Sequence, residues 1–349
     1  VPCNMPVLLK NLTADGLHAA LATAGVSLRL ARRLQAAAVR RDEIPGQLPE
    51  VSPKLLARVR EECRLPRLTL LDKQVSPLDG FAKYLFQGDG EAPFESVRIP
   101  LLHRPGDEKY VVCVSSQVGC AMGCAFCATG RLGFVRHLSA WEMVDQVIRI
   151  RADSAHPVRG VVFMGMGEPM LNYDEVVRAA RILSEPCGMA LPAKAISIST
   201  VGIVPGIRRF TADKLPFRLV VSLVSADPER RSSVLPAEQA WPLPELMQAI
   251  RDYHQASGQR VTLAWTMIAG FNVREEDAVQ LAALLHDLPV TLDLIDVNDP
   301  TGLFHPPSPG ELNAFRDALR RHLGMPVNRR YSGGQDIHAA CGMLAAQAV

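Results

Sequence analysis

The chain has 349 residues, 48% apolar, 21% charged and 5% aromatic, a composition that excludes a disordered or fibrous protein and supplies material for a sizeable core. Lys and Arg number 38 against 36 Asp and Glu, so the net charge of +2 gives no global argument for a nucleic-acid partner and any basic site must be local. No run reaches the ~18 apolar residues of a membrane span, and the N-terminus offers only the short patch Pro6 to Leu9 where a signal peptide would need a longer core. A cytoplasmic protein with no membrane partner is expected. The chain opens on Val1 and not on methionine, as if trimmed.

In chain order, Ala14 to Ala24, Leu28 to Val39 and Pro53 to Cys63 read as short helices separated by turns bearing Pro and Gly, which makes residues 1–70 a small helical domain. Ten Lys and Arg against five acids fall between positions 29 and 67, a local excess that suits RNA phosphates or an ordinary solvated helix surface equally well. Residues 71–102 break into short alternating runs around Leu78-Asp79-Gly80 and Gly88-Asp89-Gly90, the pattern of antiparallel hairpins linking two parts.

From there β-rich runs at 110–115, 159–163, 194–199, 217–223, 260–267 and 290–295 alternate with helical stretches at 139–153, 173–184, 204–212, 242–256, 273–286 and 308–322. Six βα units in succession predict an α/β fold, a partial (βα)6 TIM-like barrel over residues 103–349. Ser139-Ala-Trp-Glu142 and Ser308-Pro-Gly-Glu311 are capping boxes that start two of its helices.

Eight cysteines are too few for a disulfide scaffold of this length, and three of them crowd into Cys120-Ala-Met-Gly-Cys124-Ala-Phe-Cys127 just after the first barrel strand. Loops at that end of a parallel barrel gather its chemistry. A structural zinc wants four ligands, usually as two separated pairs, and no second pair follows here. An iron–sulfur cluster on three thiolates leaves one iron open to a ligand. The spacing, with Phe126 before the last cysteine, resembles the radical S-adenosylmethionine (SAM) superfamily, whose 4Fe–4S cluster binds SAM at that open iron and cleaves it reductively.

Later strand ends supply candidate SAM contacts. In Phe163-Met-Gly-Met-Gly-Glu168-Pro169 the glycines allow close approach of backbone, and Glu168 can take an ammonium. Ser199, Ser222 and Asn298 each end an apolar run, where a turn or cap role is the simpler reading of any one of them. Cys113 and Cys341, taken alone, are small buried hydrophobes.

Together the pieces point further. Cys113-Val-Ser-Ser-Gln-Val-Gly-Cys120, the cluster loop with Ala128-Thr-Gly130 and Gly133-Phe134, Met164-Gly-Met-Gly-Glu-Pro-Met-Leu-Asn-Tyr-Asp174, and Gly334-Gln-Asp-Ile-His-Ala-Ala-Cys-Gly342 resemble the RlmN/Cfr family across about residues 75 to 345. That family consists of radical SAM RNA methyltransferases that modify an adenine ring carbon. The resemblance implies that Cys120, Cys124 and Cys127 hold the 4Fe–4S cluster, and that Gly167, Glu168, Ser199, Ser222, Leu223, Val224 and Asn298 surround SAM. Cys341 would be S-methylated by one SAM and would deliver a methylene radical to the ring after a second SAM is cleaved. Glu95, in Phe94-Glu-Ser-Val97, would accept the proton, and Cys113 would release the product by closing a disulfide with Cys341. The resemblance also implies a monomer, an electron donor such as flavodoxin or ferredoxin, and an RNA substrate, either 23S rRNA alone or tRNA as well. The helical domain would be the accessory RNA-binding part.

The chain departs from the family in places. Ser222-Leu-Val-Ser225 replaces Ser-Leu-His-Ala, so an apolar side chain stands where a polar SAM contact is usual. Leu235-Pro-Ala-Glu-Gln239 lacks the usual Pro-Ile-Asn, Gln335 and His338 replace common acids, and Asp296-Val297 replaces Pro-Trp. This is the pattern of a divergent paralogue. Methylation at adenine C2 is the leading expectation; C8 methylation, another RNA, or a small-molecule substrate are the alternatives.

Overall fold

The computed structural model describes residues 5–101, 106–286 and 288–346. The expected boundary between residues 102 and 103, Cys3 and the opening Val1 lie outside the described residues.

Strand β1 (Val7–Leu8) pairs in parallel with β2 (Cys63–Arg64) and closes a loop around helices α1 (Ala14–Ala20), α2 (Leu28–Ala36) and α3 (Pro53–Glu62). The Oγ atoms of Ser27 and Ser52 accept from the N–H groups of Leu30 and Leu55, capping α2 and α3. Leu17, Leu21, Leu30, Leu34 and Val59 form a core of their own, distinct from that of the barrel. Lys10 fastens this unit to the rest. It is fully buried, and its Nζ lies 2.5 Å from both Asp42 Oδ1 and Asp145 Oδ1. A lysine so enclosed needs carboxylates on more than one side to offset the loss of water.

Strands β3 (Thr69–Val75), β4 (Ala82–Gln87) and β5 (Phe94–Leu101) are antiparallel hairpins, but they do not stand apart as a linker. β5 pairs with β6 (Lys109–Cys113), so they continue the barrel sheet itself. The reason is in the letters: Ala82–Phe86 of β4 and Phe94–Arg98 of β5 are buried, which an isolated connector could not be.

After β6 come the short hairpin β7 (Gln117–Gly119) and β8 (Phe134–His137), with α4 (Ala128–Arg131) between them. The winding then runs α5 (Ala140–Ala152), β9 (Val158–Phe163), α6 (Tyr173–Ser184), β10 (Ile196–Thr200), α7 (Val204–Ala212) and β11 (Arg218–Ser222). Next are α8 (Pro228–Val234), α9 (Ala237–Ala240), α10 (Leu243–Ser257), β12 (Val261–Met267), α11 (Glu275–Leu285), β13 (Val290–Asp296), α12 (Pro309–Leu323) and β14 (Val327–Arg329).

The sheet order is β14-β13-β12-β11-β10-β9-β6-β5-β4-β3. From β6 to β14 every pair is parallel and each new strand adds beside the last, the winding of a barrel and not of a doubly wound sheet. The two ends, β3 and β14, are not joined to each other, so the barrel stays partial. Glu142 reaches back 2.9 Å to the Ser139 N–H and Glu311 2.8 Å to that of Ser308, so both capping boxes form. Helices cover the outside, while Val220, Ala264 and Ile295 with Met164 make a small separate apolar layer on the inner face. The β7–β8 hairpin had no sequence expectation, because strands of three and four residues with Gly119, Arg136 and His137 carry too little alternation to read.

Candidate active site

The cluster loop is held from both sides by backbone. Gly119 has φ +70°, and a Cβ there would lie 1.9 Å from the Gly133 carbonyl oxygen, so only glycine lets β7 and β8 meet. The Cys120 N–H donates to that carbonyl at 2.9 Å, and the Ala125 N–H donates to Val234 O at 3.0 Å. From the other flank the Ala128 N–H donates to Gly342 O at 2.7 Å, and Thr129 Oγ1 donates to Leu344 O at 2.6 Å. The loop that begins the barrel is thereby stitched to the segment that ends it.

A cavity of about 1470 Å³ opens at this end, and Cys113, Cys120, Cys124, Cys127 and Cys341 all line it. Burial pushes Cys113 and Cys120 up to about 12 and Cys341 up to about 11, and raises Cys124 as well. After burial, neighbouring groups raise each thiol: Cys341 acts on Cys113, Glu168 and then Cys127 on Cys120, Cys127, Cys120 and Glu168 on Cys124, and Cys127 on Cys341. Arg330 opposes the shift at both Cys113 and Cys341. Cys341 has surface open to the cavity while protein encloses it all round, which explains a thiol both accessible and strongly desolvated. Every described cysteine is a free thiol, Cys113 and Cys341 included.

The triplet does not suit a single metal ion: among the described residues no three His, Cys, Asp or Glu side chains gather closely enough to share one. A 4Fe–4S cluster places each thiolate on a different iron, so its ligands stand apart around a common space. Three thiols that line one cavity and yet form no single-ion site among the described residues fit that group. Burial favours the protonated form of Cys120 and Cys124, so loading requires their protons to leave.

Gly167 and Glu168 follow β9 into the same cavity. Gly167 has φ +100°, and a Cβ would come within 2.8 Å of the Gln117 backbone nitrogen, so this crossing over the cluster strand demands glycine. Glu168 is buried; its Oε1 accepts from the Met170 N–H at 2.9 Å and its Oε2 from the Val201 N–H at 2.8 Å. Burial nevertheless raises its carboxyl to about 7, outweighing these hydrogen bonds. Ser199, Ser222 and Asn298 also line the cavity. Leu223 and Val224 do not: both are wholly buried and pack into the barrel core. Val224 has φ +62°, and its carbonyl accepts from Asn272 Nδ2 at 2.7 Å. Of the candidate SAM contacts, Leu223 and Val224 are thus the two that do not line the cavity.

The C-terminal segment crosses the mouth and is pinned along its length. The Gly334 N–H donates to Asp79 Oδ2 at 2.8 Å, Gln335 Nε2 to Asn298 Oδ1 at 2.8 Å, and Asn298 Nδ2 to Cys341 O at 3.3 Å. Glu95 is buried outside the cavity lining, with Oε2 accepting from the Ala345 and Ala346 N–H groups at 2.9 and 3.0 Å. The structure thus brings Glu95 to the tail that follows Cys341. Asp79, Lys83 and Arg330 were missed as site residues, and Gln335 was noted only as a departure from the family. Lys83, a lone charge within the apolar strand Ala82-Lys-Tyr-Leu-Phe86, was the one visible signal.

The basic excess near the N-terminus is largely engaged internally. Arg29, Arg41, Arg58 and Arg67 pair with acids, and Arg33, Arg40 and Arg64 bond backbone carbonyls. Arg32, Lys54 and Arg60 are the exposed remainder.

A partial parallel barrel carrying this cysteine triplet beyond its first parallel strand defines a radical SAM enzyme, and residues 114–282 match the Radical SAM superfamily. That superfamily implies a 4Fe–4S cluster and SAM as cofactors. The chain is 47% identical to a probable RNA methyltransferase of Myxococcus xanthus (strain DK1622), covering 97% of this chain and 94% of that one. It is 37% identical to the dual-specificity RNA methyltransferase RlmN 1 of the same strain, covering 99% and 96%. The crystal structure of a radical SAM methyltransferase from Sphaerobacter thermophilus superimposes with a TM-score of 0.87 at 38% identity, covering 98% of this chain and all of that one. The chain belongs to the RlmN-type family of radical SAM RNA methyltransferases.

Proposed function

We propose that this enzyme methylates an adenine at C2 in 23S rRNA, with tRNA as a further substrate, through an S-methylated Cys341. The observation that carries the reading is the meeting, in one cavity, of the triplet with two further thiols from far apart in the chain, Cys113 and Cys341. Such a pair has no use in a SAM-cleaving site alone. When bound, the cluster and SAM supply one-electron chemistry, which polar transfer of an electrophilic methyl to an electrophilic ring carbon lacks.

Each residue then has a task. Cys120, Cys124 and Cys127 hold the cluster, while Gly167, Glu168, Ser199, Ser222 and Asn298 surround SAM; Leu223 and Val224 support that wall from behind. Cys341 carries the methyl group at the cavity surface, pinned through its carbonyl to Asn298. Glu95 takes up the proton that the ring carbon loses. Cys113, a free thiol beside Cys341, gives up its proton and attacks the Cys341 sulfur while that sulfur is joined to the base; the disulfide forms as the sulfur–methylene bond breaks, and the released electron pair takes a proton to complete the methyl group. Residues 1–70 serve as an RNA-binding accessory unit, the hairpins within 71–102 extend the barrel sheet toward it, and the enzyme acts as a cytoplasmic monomer with a flavodoxin or ferredoxin as electron donor.

A second reading, a paralogue that modifies another RNA or another ring carbon such as C8, draws on a specific contrast. Identity is 47% to the M. xanthus protein described only as an RNA methyltransferase and 37% to the one called RlmN 1. Mass spectrometry of ribosomal and transfer RNA nucleosides with and without the gene tests both. Loss of 2-methyladenosine from 23S rRNA supports the first reading. A missing 8-methyladenosine, or a change confined to another RNA, supports the second.

A further inference from the structure

Glu95 does not hold its position alone. In the antiparallel register of β4 and β5, Lys83 faces Val97 and Leu85 faces Glu95. Lys83 and Glu95 are thus diagonal neighbours on one face of the sheet, a spacing that a lysine stem spans. Lys83 Nζ lies 3.1 Å from Glu95 Oε1, with the two side chains 8% and 1% exposed. No other hydrogen bond or ion pair is made by this ammonium among the described residues. A charge so enclosed with a single partner is committed to it.

The two carboxylate oxygens therefore have different neighbours. Oε1 faces the ammonium, and Oε2 faces the tail, where it accepts from the Ala345 and Ala346 N–H groups at 2.9 and 3.0 Å. The main chain of Glu95 is braced as well: its N–H donates to Met166 Sδ at 3.3 Å and its carbonyl accepts from Ser115 Oγ. The carboxylate can turn only by breaking the ion pair with Lys83.

We propose that Lys83 is a positioning residue for Glu95: it engages Oε1 and so makes Oε2, directed at the segment that carries Cys341, the oxygen that receives the substrate proton. The inference rests on the reading of Glu95 as proton acceptor. In the step concerned, the C–H bond of the ring carbon breaks, its electron pair stays with the ring, and the proton bonds to Oε2. Lys83 keeps all its protons. The tail amides occupy Oε2 in the resting protein, and the substrate takes their place.

The test compares Lys83→Met, Lys83→Arg, Glu95→Gln and the double variant Lys83→Met/Glu95→Gln in reconstituted full-length enzyme with RNA, following 5'-deoxyadenosine and methylated base separately. Lys83→Met should lower methylated base by about tenfold while 5'-deoxyadenosine stays within about twofold, because proton transfer comes after SAM cleavage. Lys83→Arg should recover most of the loss, and the double variant should be no worse than Glu95→Gln alone. A second readout needs no cofactor: amide exchange at residues 345–346 should quicken by about fivefold in Lys83→Met as the carboxylate turns away. If Lys83→Met does not fold, Lys83→Gln takes its place in every comparison.

Wild-type turnover in Lys83→Met beside a defective Glu95→Gln overturns the inference and leaves the reading of Glu95 standing. Losses that add in the double variant, or a parallel fall in SAM cleavage, make Lys83 structural and overturn it too. Wild-type turnover in Glu95→Gln removes the reading of Glu95 itself.

Discussion

The half of the cavity built from Cys113 to Glu168 and the half built from Ser222 to Asn298 differ in what holds them. In the first, Cys113, Cys120, Cys124, Cys127, Gly167 and Glu168 all reach the cavity, and the scaffold is backbone: the Gly119–Gly133 crossing, the Gly167–Gln117 crossing, and amides donating to Glu168. In the second, Ser222 and Asn298 reach it while Leu223 and Val224 turn into the core, and the bracing is by side chains such as Asn272. Backbone bracing fixes the letters that touch it, since a Cβ at Gly119 or Gly167 cannot be accommodated. Side-chain bracing leaves neighbours free to change, and the departures from the family at 224, 235–239 and 296–297 lie in that second half, with Gln335 and His338 in the C-terminal segment beyond it.

The largest expected effect lies in the first half. Cys124→Ala should abolish both the visible cluster absorbance and 5'-deoxyadenosine formation after anaerobic reconstitution, because the proposed cluster rests on Cys120, Cys124 and Cys127 alone. Full activity in aerobic, zinc-loaded protein would remove the radical reading outright. Next in size is the pair that joins the first half to the C-terminal segment. Cys113→Ala should accumulate a covalent protein–RNA adduct visible as a shifted band on a denaturing gel, while Cys341→Ala should form none. Equal, full turnover in both would reduce the two thiols to buried packing.

Much of this was legible because barrel strands buried on both faces write near-continuous apolar runs, as in Val261–Met267, and because Cys120, Cys124 and Cys127 stand close in sequence. The capping boxes at Ser139 and Ser308 were equally plain, being four-residue signals. What could not be read was long-range. That β5 extends the barrel sheet depends on pairing with β6, and that Glu95 meets Ala345 depends on contacts between opposite ends of the chain. The backbone of Val224 was the subtlest: a β-branched residue at φ +62° is rare, so its letter gave no hint that its side chain points away from the cavity.

A carboxylate in the first half gives a smaller effect with a definite sign. Burial raises Glu168 to about 7 from the usual 4.5, so the folded protein holds a proton that the unfolded chain has lost across that interval. Stability contributed by the bound proton is fully present below the unfolded value and is lost as pH rises through the folded one. The loss is on the order of 3 kcal/mol between pH 4.5 and 8. Urea unfolding of cluster-free protein at several pH values should show this decline, and Glu168→Gln should flatten it. A slope unchanged in the variant would mean that the Met170 and Val201 amides hold the carboxylate ionised.

The smallest effect on binding is expected in the second half, at Val224. Family comparison alone suggests that Val224→His would restore a hydrogen bond to SAM, about 0.5 to 1.5 kcal/mol and a clear tightening. The structure argues otherwise. Val224 is fully buried, its carbonyl is fixed by Asn272, and Asn272 is itself held by the Ile268 N–H at 2.8 Å and the Thr266 carbonyl at 2.7 Å. An imidazole at this position enters the core and leaves ring nitrogens without partners, at a cost of about 1 to 3 kcal/mol in folding stability. SAM affinity, measured by calorimetric titration into reconstituted protein, should change by less than about twofold. Tightening of about fivefold without loss of stability would show that the side chain at 224 does reach the ligand. The two halves of the cavity would then differ in letters only, and not in how they are built.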